Sequence, residues 1–355
     1  MLGNAPMPQT TAAQRGALNR NRTDTADGWL GRRILVTGAS GFIGSHVAER
    51  CVTLGARVRA HTHYNSRSDR GWIDRLPADV LAEIDPIAGD LADLAHVREA
   101  VRGCDVVLHL GAQVSIPHSY DEPWLFIETN VIGTFNVLTA VRELEVSRLV
   151  IASTSEVYGS ARYVPMDEQH PLQAQSPYAA TKIAAEKLAE SYHRSFAVPV
   201  VTLRPFNAFG PRQSARAVIP AVISQALWRD EIRLGSLEPL RDFNYVANTV
   251  DAFIAAASVP GVEGEVFNVG SGRDISVGDL AQLVSTLVGR GVPVVSEPRR
   301  ERPPGSEVNR LQADSKKAAA GLGWAPRVSL EDGLRLTIDW IRAHPESFDV
   351  GRYAT

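Results

Sequence analysis

A glycine-rich turn near the start of the chain constrains the fold most. It joins a short apolar run, Arg33–Thr37, to an amphipathic segment, and it reads Gly38-Ala-Ser-Gly41-Phe-Ile-Gly44. Glycine at the first position permits a tight turn, at the second it lets a pyrophosphate approach the backbone, and at the third it allows close packing of helix on strand. The helix N-terminus adds N–H donors and a positive dipole end. This order of strand, turn and helix predicts a dinucleotide site.

Apolar, strand-like runs alternate with helical patterns beyond this turn. Such runs begin near Gly55, Ile84, Asp105 and Arg148. This alternation predicts an α/β fold, a Rossmann-type doubly wound parallel sheet with a smaller C-terminal substrate-binding lobe, in which ligands bind at the carboxyl ends of the strands. The predicted cofactor-binding residues are Gly38, Ser40, Gly41, Phe42, Ile43, Gly44, Thr62, Asn65, Ser66, Arg67, Asp90, Leu91, Leu110, Gly111, Ala112, Gln113, Tyr178 and Lys182.

Four segments follow from this pattern. Residues 1–30 are polar and Ala-rich without a long apolar run, and we expect a disordered extension. Residues 31–210 are expected to form mainly the NAD(P)-binding domain with the catalytic residues. Residues 211–345 are expected to form mainly the substrate-binding lobe, with some return to the sheet, and residues 346–355 form a tail.

The tip of the second strand bears on the choice between NAD and NADP. An Asp or Glu there usually holds the ribose 2′-hydroxyl of NAD, whereas Thr62 stands near that position here and no carboxylate is present. Arg67, with Ser66 and His63, could hold a 2′-phosphate. The sequence therefore favours NADP and leaves NAD open.

The stretch from Arg148 to Lys182 carries the predicted chemistry. An apolar run from Arg148 is followed by Thr154, Ser155 and Glu156, and later by Ser176-Pro-Tyr178-Ala-Ala-Thr-Lys182. Ser176 and Pro177 resemble an N-cap and first helical residue, so Tyr178 and Lys182 would lie one turn apart on one helix face. We expect the ammonium to lower the pKa of the phenol, which would make Tyr178 a general acid/base near neutral pH. The predicted catalytic residues are Thr154, Ser155, Glu156, Tyr178 and Lys182.

Charge and cysteine usage narrow the class of partner. The net charge is -3, and no long run of like charge suggests nucleic-acid or membrane binding. No segment is expected to reach the length of an apolar span. Cys51 and Cys104 lie in apolar segments without paired spacing, which indicates reduced thiols in the cytoplasm and no metal site.

Two long helices are predicted outside the glycine-rich region. One runs from Pro123 to Glu145 and includes Asn130, which could bind backbone near the active site. The other carries Tyr178. Both are amphipathic, so they could pair with their copies in a homodimer, although internal packing alone is the alternative.

Arginines of the C-terminal half are the candidates for binding a second pyrophosphate. Their planar guanidinium groups bind phosphate in a bidentate manner, although any one of them could instead be a surface ion-pair partner. The predicted substrate-binding residues are Ser115, Asn207, Arg212, Arg216, Val218, Ile219, Arg241 and Arg302.

Taken together, these motifs resemble the extended short-chain dehydrogenase/reductase superfamily. The likeness rests on the three glycines of the turn, on Thr154 with Tyr178 and Lys182, and on Arg204-Pro-x-Asn207-x-x-Gly210-Pro211. Ser153-Thr-Ser-Glu-Val-Tyr-Gly159 is similar to the nucleotide-sugar dehydratases and decarboxylases. Further segments resemble the UDP- or GDP-N-acetylglucosamine 4,6-dehydratases of legionaminic acid biosynthesis, namely Tyr163–Glu168, Ser176–Tyr178, Gly210–Pro220 and Ser306–Leu311.

This resemblance implies a reaction that oxidises C4 of a sugar, eliminates water across C5 and C6, and reduces C6, with NAD or NADP tightly bound and recycled. Tyr178 would remove the C4 hydroxyl proton with Lys182 beside it, Thr154 would bind the C4 oxygen, and Glu156 would take the C5 proton. The nucleotide base, the sugar and the pathway stay open. So do a 4-epimerase, a UDP-glucuronate decarboxylase and, from another class, an NAD(P)-sensing binding protein, which would not need the catalytic residues.

The chain departs from its resembled relatives at two positions. Ser155 stands where the glucose-nucleotide dehydratases have an Asp that protonates the departing C6 hydroxyl, so Glu156 would act as both base and acid or relay through water. Asn248 stands where many relatives carry an Asp.

Overall fold

The computed structural model describes residues 28–297 and 305–348. Its centre is a seven-stranded sheet in which every neighbouring pair is parallel. The first six strands of this sheet along the chain are β1 (Arg33–Thr37), β2 (Arg57–His63), β3 (Ile84–Gly89), β4 (Val106–His109), β5 (Arg148–Ala152) and β6 (Val200–Pro205). With β11 (Val266–Val269) outside β6, the order is β11-β6-β5-β4-β1-β2-β3.

Helices cover both faces of this sheet. The main ones are α1 (Phe42–Thr53), α2 (Ala78–Leu81), α3 (Leu94–Val101), α4 (Ile116–Asp121), α5 (Pro123–Phe126), α6 (Gly133–Glu143) and α7 (Pro177–Phe196). Side chains alternate along each strand, so Ile34 and Val36 belong to the core under α1, whereas Leu35 belongs to the core under α3, α6 and α7. The predicted Rossmann-type fold is confirmed. Because the order reverses between β1 and β4, a crevice opens at their carboxyl ends.

A smaller lobe follows β6. Its elements are β7 (Ala208–Phe209), α8 (Val218–Trp228), β8 (Ile232–Leu234), β9 (Leu240–Asp242), β10 (Asn244–Tyr245), α9 (Val246–Ser258), β12 (Asp274–Ser276), α10 (Val277–Val288), β13 (Val294–Ser296), α11 (Lys316–Leu322) and α12 (Leu330–Ala343). Helices α8, α10 and α12 enclose a separate apolar core. Helix α9 instead packs against α1, and β11 pairs with β6, so both return to the main sheet.

The start of the folded chain differs from the predicted disordered extension. Residues 1–27 lie outside the described part, but Trp29 is 3 % exposed and its indole N–H donates to Ser258 Oγ at 3.1 Å. Burial of this large ring in the core under α1 fixes the chain there. Trp29, which the prediction placed in the disordered extension, therefore belongs to the folded part of the chain.

The long helix predicted from Pro123 is interrupted by one π-helical turn. Helices α5 and α6 are joined through Ile127–Ile132, and the whole segment Pro123–Glu143 has the length and mean hydropathy, 1.3, of a membrane span. The expectation that no segment would reach that length is therefore wrong. Half of the apolar window is buried inside the fold, as in the core helix of a globular domain.

Asn248 has a physical role in the turn before α12. Its Oδ1 accepts the N–H groups of Arg327 and Val328 at 2.9 and 3.0 Å. Its Nδ2 donates to the Val328 carbonyl and to Asn244 Oδ1, both at 2.9 Å. Only an amide satisfies both kinds of partner, because a carboxylate cannot donate when ionised.

Replacing Asn248 with Asp is therefore expected to destabilise the protein by ~3 kcal/mol, because it places a carboxylate against two oxygen acceptors at a site that is 1 % exposed. The midpoint of urea unfolding measures this loss. Asn309→Asp, at an exposed position, is the control and should leave the midpoint unchanged. Equal midpoints for the two variants would contradict the assignment.

Candidate active site

The glycine-rich turn forms a cradle at the end of β1. Gly38 has φ +68°, and a Cβ there would lie 2.8 Å from the backbone of Gly111. A Cβ on Gly44 would lie 2.1 Å from the Gly38 carbonyl oxygen, so only glycine lets α1 approach this closely. Helix α1 has neither a side-chain cap nor an acidic residue in its first turn. Its first N–H groups can therefore bind phosphate, and the cradle fits a dinucleotide.

The tip of β2 leads into a loop that is held in shape by Asn65. Thr62 is 2 % exposed, and Asn65 organises the following loop, where its Oδ1 accepts the N–H groups of Arg67 and Asp69 at 3.1 Å. Ser66 and Arg67 lie exposed at the tip of this loop. The N–H of Trp72 donates to the Ser40 carbonyl at 3.1 Å, which holds the end of the loop against the glycine-rich turn.

A hydrogen-bond chain with one consistent direction lies beneath the cradle. Gly111 N–H donates to Thr37 Oγ1 at 2.9 Å, so that hydroxyl donates to His109 Nδ1 at 2.8 Å. The opposite nitrogen, Nε2–H, then donates to Thr134 Oγ1 at 3.1 Å, and Thr134 donates to the Asn130 carbonyl at 2.6 Å. Burial lowers the pKa of His109 to about 3, so it stays neutral. His109 is thus a core histidine.

Asn130 ties the end of β4 to the helix of Tyr178. It lies in the π-helical turn and is 1 % exposed. Its Oδ1 accepts Gln113 N–H at 2.8 Å, and its Nδ2 donates to the Gln113 carbonyl and to Thr181 Oγ1, both at 3.0 Å. A π-turn often marks a functional site, and this one aims the amide inward. The expectation that Asn130 binds backbone near the site is confirmed.

The N-terminus of α7 has the predicted cap. Ser176 Oγ accepts Ala179 N–H at 3.1 Å and Pro177 is the first helical residue. Tyr178 and Lys182 are therefore one turn apart and both are buried, 7 % and 6 % exposed. Lys182 Nζ donates to the Ala152 carbonyl at 2.5 Å, so the helix is held against the end of β5.

The loop after β5 brings the other catalytic candidates to this pair. Thr154 caps the 3₁₀ turn Ser155–Tyr158 and its Oγ1 accepts Glu156 N–H at 3.2 Å. Thr154 also forms a hydrogen bond with the Tyr178 phenol, and the Glu156 carboxylate is near enough to act on its charge. Ser155 lies in the same turn and is 2 % exposed. Thr154 and Glu156 therefore lie beside the Tyr178 phenol, and Lys182 lies one turn further along the same helix.

The electrostatics differ from the expected lowering of the phenol pKa. Burial raises the pKa of Tyr178, the Thr154 hydrogen bond opposes this, and the Glu156 charge raises it further. Burial lowers the pKa of Lys182 to about 8, against the opposing charge of Glu186. The expectation is wrong for this arrangement because desolvation is the largest effect on the pKa of the phenol.

The predicted substrate residues are placed in several environments. Arg216 is exposed and Val218 is partly buried, whereas Ile219 is 1 % exposed and packs inside the lobe, so only its backbone can reach a ligand. Asn207 Nδ2 donates to the Asp242 carbonyl at 3.4 Å, and Ser115 caps α4. These positions stay predictions.

The three arginines predicted to bind pyrophosphate are placed differently from one another. Arg212 pairs with Glu49 of α1 at 2.6 Å, and Arg241 pairs with Glu307 at 2.9 Å. Arg302 lies outside the described residues. The binding of a second pyrophosphate by Arg212 and Arg241 stays a prediction.

The residues that sequence reasoning missed lie just behind the site. Glu186 and Tyr158 form a buried polar network with Arg204. The spacing of Lys182 and Glu186, four residues apart on one helix, was the available signal.

Comparison with known proteins agrees with this geometry. The sequence model of the family described as GDP-mannose 4,6 dehydratase matches residues 35–337. The chain is 30 % identical to a putative UDP-glucose 4-epimerase of Methanocaldococcus jannaschii, over 87 % of this chain and 98 % of that one. It is 32 % identical to a dTDP-glucose 4,6-dehydratase of Streptomyces antibioticus, over 87 % and 92 %.

A solved structure is similar as well. It is TunA, described as an NAD-dependent NDP-hexosamine 5,6-dehydratase of tunicamycin biosynthesis, with a TM-score of 0.77 and 30 % identity over 88 % of this chain and 98 % of that one. The cradle, the Thr154, Tyr178 and Lys182 set and these likenesses lead to one conclusion. The chain belongs to the GDP-mannose 4,6-dehydratase family, in the nucleotide-sugar dehydratase branch of the extended short-chain dehydrogenase/reductases.

Proposed function

We propose that the protein is a nucleotide-sugar 4,6-dehydratase that acts on UDP- or GDP-N-acetylglucosamine or a related NDP-hexose. The observation that carries this proposal is the carboxylate of Glu156 beside the Tyr178 phenol. A reaction confined to C4 needs an acid/base and a hydride acceptor, whereas loss of water across C5 and C6 also needs a base at C5.

The first step uses Tyr178, Thr154 and Lys182. Tyr178 accepts the proton of the C4 hydroxyl, and the Thr154 hydroxyl binds the same oxygen. Tyr178 must be a phenolate before it accepts this proton, and Lys182, held on α7 one turn away, stabilises that phenolate while it stays protonated, below a pKa of about 8. A nicotinamide cofactor in the cradle would supply a hydride acceptor and donor for C4 and C6.

The elimination uses Glu156. A C4 ketone acidifies the C5 proton, which Glu156 removes as the C5–C6 double bond forms and the C6 hydroxyl leaves as water. Ser155 is too weak an acid to protonate that hydroxyl. Glu156 therefore passes the proton it took from C5 to that hydroxyl. Return of hydride to C6 would then leave C5 to regain one proton, which balances the proton lost from the C4 hydroxyl, so the net reaction is loss of one water without net oxidation.

The hexosamine assignment depends on segments around the crevice. The resemblance to N-acetylglucosamine dehydratases lies in Tyr163–Glu168, Gly210–Pro220 and Ser306–Leu311. Two of these lie beside the catalytic turn, since Met166 and Leu311 pack with Val157 and Tyr158 in one buried cluster. This contact supports a role for them at the sugar end of the crevice.

A 4-epimerase is the second candidate, because a putative UDP-glucose 4-epimerase is among the similar proteins. Mass spectrometry separates the two. Purified protein incubated with UDP- and GDP-N-acetylglucosamine and with other NDP-hexoses should yield a product lighter by one water, whereas an epimerase yields a product of unchanged mass. Unchanged mass with every substrate would overturn the proposal.

We infer a preference for NADP from the tip of β2. Thr62 replaces the expected acid, and Arg67 lies exposed in a loop that Asn65 holds in shape. A guanidinium there can bind a 2′-phosphate, which NAD lacks.

The variant Arg67→Ala is expected to weaken NADP binding by about tenfold, since one charge-assisted hydrogen bond contributes ~1.5 kcal/mol, and to leave NAD binding unchanged. Isothermal titration with both cofactors measures this difference. Arg57→Ala removes the same charge from the exposed opposite end of β2 and serves as the control. An equal loss for both cofactors, or tighter binding of NAD than NADP by the native protein, would contradict the inference.

We also propose an assembly and a cellular location for the protein. Trp124, Ile127 and Phe135 are 65 %, 40 % and 41 % exposed along the π-turn helix. Such apolar exposure fits a homodimer formed through this helix and α7. Cys51 and Cys104 are free and buried, which is consistent with the cytoplasm.

A further inference from the structure

A buried ion pair lies directly behind the catalytic residues. Arg204 donates from Nε and Nη2 to the two carboxylate oxygens of Glu186, at 2.9 and 2.6 Å, and each side chain is 5 % exposed. Glu186 follows Lys182 by four residues on α7, so both lie on one helix face. The ion pair therefore joins β6 to the helix that carries Tyr178 and Lys182.

The third nitrogen of Arg204 reaches the catalytic turn. Its Nη1 donates to the Tyr158 hydroxyl at 2.8 Å, and that hydroxyl donates to Asn268 Oδ1 at 2.7 Å. The guanidinium carbon also lies 4.9 Å from the centroid of the Tyr158 ring. Tyr158 is fully buried at the end of the 3₁₀ turn that contains Glu156. One side chain thus contacts both the helix and the turn.

The stability of the fold alone does not explain why Arg204 and Glu186 are buried as an ion pair. Burying two charges costs desolvation free energy that their attraction often only offsets, and apolar residues of similar size frequently stabilise a core as well. The arrangement fixes the orientation of the two elements that Arg204 contacts. A planar guanidinium that forms two hydrogen bonds with a carboxylate on one side and one with a phenol on the other can do so in only one orientation. The two bound elements supply the two different proton-transfer groups of the proposed reaction.

We propose that Arg204 is a positioning residue that sets the separation between the Tyr178 and Lys182 pair and the Glu156 carboxylate. This inference depends on the proposed function, in which oxidation at C4 and proton removal at C5 need the two groups in turn. Loss of the Tyr158 hydroxyl removes the hydrogen bond between Arg204 and the turn but leaves the ion pair between Arg204 and Glu186 of α7. Such a variant should impair proton transfer at C5 more than substrate binding.

The test is Tyr158→Phe, assayed on the C5 proton transfer alone. The 4-keto product made by the native enzyme is returned to enzyme in D2O, and deuterium entry at C5 is followed by NMR. We expect exchange to slow by about tenfold, because small misplacements of a catalytic group have effects of this size, with KM little changed. Ketone incubated without enzyme gives the background rate.

Tyr192→Phe is the matched control. It also removes one hydroxyl from a buried tyrosine, on α7 itself, where the hydrogen bond is to Thr139 at 3.1 Å and away from Arg204. This variant should exchange at the native rate. Thermal unfolding of both variants shows whether any difference in rate follows a difference in stability.

Arg204→Lys is the second variant, because it keeps the positive charge but loses the planar guanidinium and its paired hydrogen bonds. If it folds, it should slow exchange at least as much as Tyr158→Phe, and if it does not, Tyr158→Phe decides. Native exchange in Tyr158→Phe, or equal slowing in Tyr192→Phe, would overturn the positioning role. A native enzyme that releases no water from any NDP-hexose instead removes the proposed function, and this inference with it.

Discussion

Replacing Tyr178 with Phe is expected to lower kcat by on the order of a thousandfold, because the phenol is the group that takes the C4 proton and such acid/base catalysis contributes up to about 10⁴-fold. The ring still fills the space it shares with Phe126, 6.3 Å away between centroids. The fold and cofactor binding should therefore persist. Product formation followed by mass spectrometry, and cofactor binding followed by calorimetry, measure the two quantities.

Tyr192→Phe controls for the loss of a tyrosine hydroxyl. The Tyr192 hydroxyl forms a hydrogen bond with Thr139 at 3.1 Å outside the catalytic group, so this variant should turn over at the native rate. The same experiment separates an enzyme from a cofactor-sensing protein. Native-like turnover in Tyr178→Phe would contradict the assignment of the general acid/base.

The local geometry of the site was predictable because it depends on short spacings. Ser176 and Pro177 define where α7 begins, and this beginning fixes Tyr178 and Lys182 on one face. Likewise the three glycines define the turn into α1, where a side chain on Gly44 would collide with Gly38. Capping and glycine sterics act within a few residues, so the sequence contains all the information they need.

The electrostatics were less predictable because they depend on burial. The i, i+4 spacing indicated that Lys182 would lower the pKa of Tyr178, but α7 packs so that the phenol is desolvated and meets Glu156. Desolvation is set by every element around the residue, and no local spacing reports it. The same reason explains why the sequence did not single out Glu186, which is buried against Arg204.

Contacts between distant segments could not be predicted from local sequence patterns. Arg212 was predicted to bind phosphate from its residue type, and the fold pairs it with Glu49, 163 positions away. Asn248 likewise binds the turn at Val328, 80 positions further along the chain. In each case the packing of α1 or α12 in the fold determines the partner. The hydrophobic periodicity of these helices does not predict that packing.

Replacing Glu156 with Gln is the second large effect expected. The amide has nearly the size of the carboxylate but cannot accept the C5 proton, so we expect release of water to fall by on the order of a thousandfold. The steps at C4, which use Tyr178, Thr154 and Lys182, should continue. Oxidised sugar with reduced nicotinamide should accumulate, and absorbance after rapid mixing with substrate detects it.

Glu83→Gln, at an exposed position before β3 and away from the crevice, should behave as the native enzyme. The result with Glu156→Gln also decides between the two candidate functions, because a 4-epimerase moves only the C4 hydrogen and has no task for a base at C5. A dehydratase must lose product and accumulate the ketone, whereas an epimerase must keep its turnover. Undiminished activity in Glu156→Gln would therefore contradict the dehydratase assignment and leave Tyr178 and Lys182 as an epimerase pair.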